Sequence, residues 1–267
     1  MQHPAEWIEM QELQDMHAAA TPVIKSQLQL YGEFIGDAFV SIAPTLPASA
    51  IVLNRCLGLG LSTVASKENI LSIIDAYRHR DVPRFFLQLH PAAQSASIRQ
   101  WFVEANLSQA RSWQKFQRGT EPVVRPANNT LEIKVIDHRH GGDFADIACN
   151  AFDLGDAAKP WVAALPGREH WHIFMSFVDG DPAGTGGLFI KDELAWLDFG
   201  ATAPQFRQQG SQSALLAARI GYALDHGCRS LFTCTGEAVS GDPQHSYKNI
   251  VKNGFAETYL RENYAPN

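Results

Sequence analysis

Cysteine is scarce in this sequence of 267 residues, where Cys56, Cys149, Cys228 and Cys234 are the only four. They form no C-x-x-C pair and have no histidine at zinc-finger spacing, which argues against a disulfide framework and a structural metal; reduced thiols and a cytoplasmic location are expected. Positive charge is also short. With 22 Lys and Arg against 28 Asp and Glu, the formal net charge is −6, and no local Lys/Arg cluster compensates. Such a chain has no field to hold a polyanion, so nucleic acid is not an expected partner. Long apolar runs are missing too, which leaves no candidate bilayer span and no membrane role. Residues 1–20 carry Glu6, Glu9, Glu12 and Asp15, unlike a secretory signal or a transit peptide. What remains is 45% hydrophobic, too apolar for wholesale disorder, and long enough for one large domain or two ordinary ones.

The most informative stretch is Asp198 to Ala217, DFGATAPQFRQQGSQSALLA. A strand pattern ends near Ala203, Pro204 breaks it, a polar turn carries Gly210, and an Ala/Leu-rich helix opens at Ser211. Backbone amides at the positive end of a helix, beside a glycine that permits close approach, suit a phosphate or pyrophosphate. From Pro204 to Leu216 the residues resemble the acetyl-CoA pyrophosphate loop of the GNAT N-acetyltransferase superfamily, P-x-[YF]-[RQ]-x-x-G-x-[GA]-x-x-L-[LI]. Gln212 departs from it, standing where the family has Gly or Ala. Downstream, Arg229–Thr235 reads as a strand, Ser246–Phe255 resembles the family's last helix with its G-F ending, and Glu257–Tyr264 is strand-like.

Taken in order, Pro4 to Phe39 reads as mainly helical, with Thr21-Pro22 as a cap and first-turn signal. Ala50–Leu61 suggests a buried strand, Ser66 to His79 a helix, Arg84–His90 a strand, Ala96–Ala105 a helix and Ala110–Arg118 an aromatic strand. Gly119 to Asn129, with two prolines, is the linker candidate. Beyond it come a strand from Leu131, helices over Asp143–Phe152 and Lys159–Leu165, and strands over Trp171–Val178, Gly184–Ile190 and Glu193–Ala203. The order of elements in residues 50–118 matches that in 193–264, which points to an internal repeat. The expected fold is therefore α/β (α+β): a GNAT fold with a mixed central sheet flanked by helices, in a tandem arrangement. The expected units are an N-terminal GNAT-like domain, 1–125, without cofactor, and a C-terminal acetyltransferase domain, 130–267. Gly58 and Gly60 of the first half precede no R-x-x-G pattern and read as bulge or close-packing positions.

The resemblance implies acetyl-CoA as co-substrate and a primary amine, on a small molecule or a peptide, as acceptor; a homodimer is left open. It places Gly200, Ala201, Thr202 and Ala203 along the pantetheine arm, and Arg207, Gln208, Gln209, Gly210, Ser211, Gln212 and Ser213 around the pyrophosphate, with Asn249 near the cofactor or the loop. Gly200 and Ala201 also read as a strand bulge. For the base, Asp198 lies where related sequences carry a carboxylate, and burial in an apolar strand would raise its pKa; alternatively it faces solvent. Glu237 and His245 are further candidates. For the acid, the family's usual tyrosine position is Ile250, which has no proton to give. Tyr247 and Ser246 lie one turn earlier, or else merely pack and cap. Trp161, Trp171, Trp196, His170 and His172 are either an acceptor pocket or core. Beside the transferase, a non-catalytic acyl-CoA-binding or sensing protein is the alternative.

Overall fold

A computed structural model describes residues 2–124 and 131–267. The first half runs α1 (Pro4–Ala19), α2 (Pro22–Leu28), β1 (Tyr31–Ile35), β2 (Ala38–Ile42), β3 (Arg55–Leu57), α3 (Lys67–Arg78), β4 (Phe86–Leu89), α4 (Ala96–Glu104) and β5 (Leu107–Arg118). The second runs β6 (Glu132–Ile136), α5 (Gly141–Ala151), α6 (Lys159–Val162), β7 (Trp171–Val178), β8 (Asp181–Lys191), β9 (Leu194–Thr202), α7 (Ser211–Asp225), β10 (Ser230–Gly236), α8 (His245–Lys252) and β11 (Ala256–Pro266). The linker candidate lies, from residue 125 onward, outside the described residues. Among those residues no helix is long and apolar enough to cross a membrane.

Thr21 starts α2 as its sequence suggests, its Oγ1 accepting from the Ile24 amide at 3.3 Å. The helical reading fails beyond Leu28. Gln29 turns left-handed at the end of α2, and Tyr31–Ile35 pairs with Ala38–Ile42 as a hairpin around Gly36 and Asp37. A two-residue Gly-Asp turn, with Gly36 left-handed at φ 62°, outweighs the apolar spacing that suggested a helix. Only Arg55–Leu57 of the expected strand at 50–61 is extended. Residues before it form turns, where the Asn54 side chain bonds both the amide and the carbonyl of Ala43.

The strands form one mixed sheet in the order β1-β2-β3-β4-β11-β5-β10-β9-β8-β7-β6. Outward from the central antiparallel pair β5·β11, the succession β10, β9, β8, β7 on one side matches β4, β3, β2, β1 on the other. The two parallel pairs, β9·β10 and β3·β4, occupy corresponding places. Each half gives its last strand to the other: β5 pairs with β10 of the second half, and β11 pairs with β4 of the first. A cut between 125 and 130 divides the sequence without dividing the sheet.

Side chains alternate across the sheet. Ile173, Met175, Trp196 and Phe199 join a core under α1, α2, α5 and α6, whereas Phe174, Leu188 and Leu197 face α7 and α8. A third cluster lies between β1–β4 and the helices α3 and α4. Helix α1 crosses the middle of the sheet and buries charge there. Arg261 Nη1 lies 2.9 Å from Glu6 Oε2 and 2.5 Å from Glu9 Oε2, Arg55 Nη1 lies 2.5 Å from Glu9 Oε1, and Lys115 is bonded to Glu9. Burial raises the pKa of Glu9, but Arg261, Lys115 and Arg55 outweigh it and hold the carboxyl well below its usual range. One helix thereby grips β3, β5 and β11 at the seam between the halves.

Candidate active site

Parallel pairing of β9 with β10 stops early. Leu194, Ala195 and Trp196 are in register with Ser230, Leu231 and Phe232, and Thr233 Oγ1 then donates to the Leu197 carbonyl at 2.9 Å. Beyond that point the strands part. On the other flank of β9, Phe199 and Gly200 together face only Gly186 of β8, so a bulge bends the strand where it leaves its neighbour. Phe199 takes the strain of the bulge at φ 49°. The expected bulge is thus present, one residue earlier than the Gly200-Ala201 pair.

The bulge is braced from the α7 face by Arg219, which is buried and donates from Nη1 to the Gly187 and Asp198 carbonyls, both at 3.0 Å. Burial lowers its pKa to about 10, and nearby Asp198 opposes the shift. Two glycines make room for this arrangement. A Cβ on Gly186 would stand 2.6 Å from the Arg219 guanidinium carbon, and one on Gly184 would overlap Ser211 Oγ, which pairs with Ser176 Oγ at 2.7 Å. Sequence reasoning missed Arg219, whose only signal was a cation inside an Ala/Leu-rich helix.

The opening leads to a cavity of about 640 Å³ at the start of α7, lined by Gly200, Ala201, Thr202, Arg207, Gln208, Gly210, Ser211, Gln212, Ser213, His245, Ser246 and Asn249, with Ala151 and Phe206. Most of the residues expected at a cofactor are brought together here. Ala203 opens instead onto an adjoining cavity of about 280 Å³, and Gln209 lines neither. Gly210 has φ 84° with open space on its Cβ side, and Gln208 is also left-handed, at φ 64°. The amides of Ser211 to Ser213 have no preceding helical carbonyl to bond, and no side chain caps α7. The Gln212 side chain is tied to α8, its Oε1 accepting from Asn249 Nδ2 at 2.7 Å.

The proton-transfer candidates disperse. Ser246 lines the cavity; Tyr247 lies away from it, edge-on to Phe116 at 5.1 Å, its hydroxyl bonded to Glu257, which raises its pKa. Ile250 is core. Glu237 is committed to β5, its Oε1 accepting from the Ser112 amide at 3.0 Å. Asp198 is half-buried and faces α1, its Oδ1 accepting from the Phe199 amide at 2.7 Å. Burial raises its pKa and Arg55 opposes the rise. Trp161, Trp171 and Trp196 are core, and they hold this region: their indoles point to the Met16 carbonyl, Asp15 and Asp198. Among the described residues no group of three or more His, Cys, Asp or Glu is placed to hold a metal ion.

The corresponding turn of the first half is already filled. Asp37 Oδ1 accepts from the Gly60 amide at 3.2 Å, and its Oδ2 from Ser62 and Thr63 at 2.8 and 3.0 Å. A carboxylate of the chain itself occupies the amide cradle there.

Residues 145–247 match the family model described as Acetyltransferase (GNAT) family. No curated protein matches the sequence. Among solved structures, a GCN5-related N-acetyltransferase from Kribbella flavida is similar at a TM-score of 0.68 and 14% identity, over 100% of this chain and 96% of that one. A GCN5-related N-acetyltransferase from Sphaerobacter thermophilus is similar at 0.57 and 14%, over 86% and 80%. A tandem GNAT protein from the clavulanic acid biosynthesis pathway is similar at 0.56 and 13%, over 85% and 77%. At these identities the likeness is one of fold. Residues 145–247 therefore carry a domain of the GNAT acetyltransferase family, and the whole chain has the fold of GNAT proteins.

Proposed function

We propose that this chain is an acetyl-CoA-dependent N-acetyltransferase acting on a primary amine in the cytoplasm, with its cofactor in the second half. The observation that carries the reading is the cavity at the start of α7, where unpaired first-turn amides and the open side of Gly210 face a space of about 640 Å³. That volume is within the range of ligand pockets, and helix-start amides match the charge of a pyrophosphate. Arg207 and the amides from Gly210 to Ser213 would hold the pyrophosphate. The β9 edge from Gly200 to Thr202, freed where β10 diverges, would bond the pantetheine arm. Acetyl-CoA supplies an activated thioester; the chain orients it, excludes water and removes a proton from the amine, a task for which Asp198 is the nearest carboxylate to the bulge.

Titration calorimetry with acetyl-CoA tests the site. Gly210→Val forces a β-branched side chain into a left-handed position and crowds the amides, so binding should be lost while the thermal unfolding transition remains. Unchanged affinity would remove the loop from the site. Thiol release with a panel of amines then separates transfer from binding alone. The second reading, a non-catalytic acyl-CoA-binding protein, is favoured by Ile250 in the core and Tyr247 turned away from the cavity.

A further inference from the structure

Directly behind the bulge lies a second, very small cavity of about 20 Å³, lined by Glu12, Met16, Val52, Leu53, Arg55, Phe152, Asp198 and Phe199. It stands back to back with the large one. Phe199 and Gly200 are adjacent on β9, as are Phe152 and Ala151 at α5, and in each pair one residue lines each space. Glu12 comes from the first half and is 1% exposed, yet among the described residues neither of its carboxyl oxygens has a hydrogen-bond partner. Arg55 Nε is orphaned in the same way. Asp198 Oδ2 has only a long 3.5 Å contact with Trp196 Nε1. An unpartnered buried carboxyl costs several kcal/mol unless it is neutral or solvated, so this cluster calls for an occupant. The space admits one water, and Glu12, Arg55 and Asp198 supply the two to four polar partners that a buried water needs.

We propose that Glu12 and Asp198, bridged by one water that Arg55 anchors, form a carboxyl pair sharing a single proton, and that this pair receives the proton lost by the attacking amine. The inference rests on the transferase reading above. Two carboxyls on so small a space cannot both ionise cheaply, which is why one proton stays. Burial, and then Asp198, push the Glu12 carboxyl well above its usual range, with Arg55 opposing and Glu9 and Asp15 adding to the rise. Around Asp198 the charged or titratable neighbours are Arg55 from β3, Glu9 and Glu12 from α1, Arg219 from α7 and Cys234 from β10. Within the pair the proton balance closes. As the nitrogen–carbon bond forms and the carbon–sulfur bond breaks, the amine proton passes to the ionised member, leaving both carboxyls neutral. That proton then goes to the sulfur, restoring the pair and releasing a thiol. Glu12 acts through the water and Asp198 and is a positioning residue. Its place on α1 makes the first half part of the site.

Infrared difference spectroscopy tests the pair without turnover. Wild-type protein at neutral pH should show one protonated-carboxyl band that disappears in Glu12→Gln and shifts in frequency in Asp198→Asn, where burial still keeps Glu12 protonated. No such band, or a band that survives Glu12→Gln or is unmoved in Asp198→Asn, overturns the proposal. Calorimetry should show unchanged acetyl-CoA affinity in Glu12→Gln, with kcat lower by about a hundredfold or more at neutral pH, a typical loss for acid–base function. Part of the rate should return at high pH, where free amine is abundant, and Glu12→Asp should restore part at neutral pH. An unaltered pH profile in Glu12→Gln with the band gone would overturn the catalytic use. If wild-type protein binds acetyl-CoA but releases no thiol with any amine, the transferase reading and the proton destination both fail, while the one-proton pair is judged on the infrared band alone.

Discussion

Asn249 Nδ2 donates to Gln212 Oε1 at 2.7 Å, joining α8 to the first turn of α7 across the wall of the large cavity. The bond turns the one departure from the family's loop pattern into part of the cavity wall. Removing a bond of this kind costs about 1 kcal/mol, or roughly a fivefold change in an equilibrium constant. Asn249→Ala should weaken acetyl-CoA binding by up to about that factor and lower the midpoint of urea unfolding by an amount worth no more than about 1 kcal/mol. Calorimetry beside a denaturation curve checks both.

Glu9→Gln should be among the most damaging single changes. It leaves Arg261, Lys115 and Arg55 buried with one negative partner fewer, and breaking a buried ionic cluster typically costs about 3–5 kcal/mol. The exposed pair Lys67–Glu104 is the control, because Glu104→Gln should leave stability nearly unchanged. Equilibrium urea unfolding of the two variants should differ accordingly.

Acid should loosen the first half through His17. Its Nε2 donates to Ser41 Oγ at 2.8 Å, since the serine's own proton goes to the Leu53 carbonyl at 2.6 Å. Burial, then Lys25, push the imidazole pKa down to about 4. A histidine depressed in this way contributes stability that is complete above its unfolded pKa of about 6.5 and is lost as pH falls to about 4, up to roughly 3 kcal/mol. Glu12 and Asp198, with raised values, act in the opposite sense. The measurement is therefore the difference between wild type and His17→Gln across that window, where the variant should lose less stability on acidification.

The exchange of end strands makes a prediction about fragments. Residues 131–267 alone lack β5, which leaves β10 without its antiparallel partner and β11 with neither neighbour. The fragment should not fold by itself, and it should be rescued by co-expression with residues 1–124. A cooperative unfolding transition in the isolated fragment would contradict this.

Much of this was legible in the sequence, for identifiable reasons. The turn from Pro204 to Ser213 was readable because a proline stop, a left-handed glycine and an Ala/Leu helix are local signals. The sheet's repeat was readable as an order of elements but not as an exchange, because nothing local in Leu107–Arg118 states which half it will join. The hairpin at Tyr31–Ile42 was misread because apolar spacing in a short run fits both periods. In the sequence, Glu6, Glu9 and Glu12 spoke only against a signal or transit peptide. Their burial was written elsewhere, in Arg55, Lys115 and Arg261, cations on strands far along the chain. Asp198 was singled out as a lone carboxylate in an apolar strand. Its companion Glu12 was not, because they meet only through the fold.

Asp37, lying across the amides of Gly60, Ser62 and Thr63, is in effect a tethered ligand. Any phosphate that approaches this turn competes with a carboxylate that cannot diffuse away and whose effective concentration is on the order of millimolar or above, as for any short tether. The first half thus carries a permanent tenant where the second keeps its cradle open. In titration with acetyl-CoA the protein should saturate along a simple hyperbola with one site per chain, because the turn held by Asp37 offers no second vacancy from which cooperativity between the halves could arise.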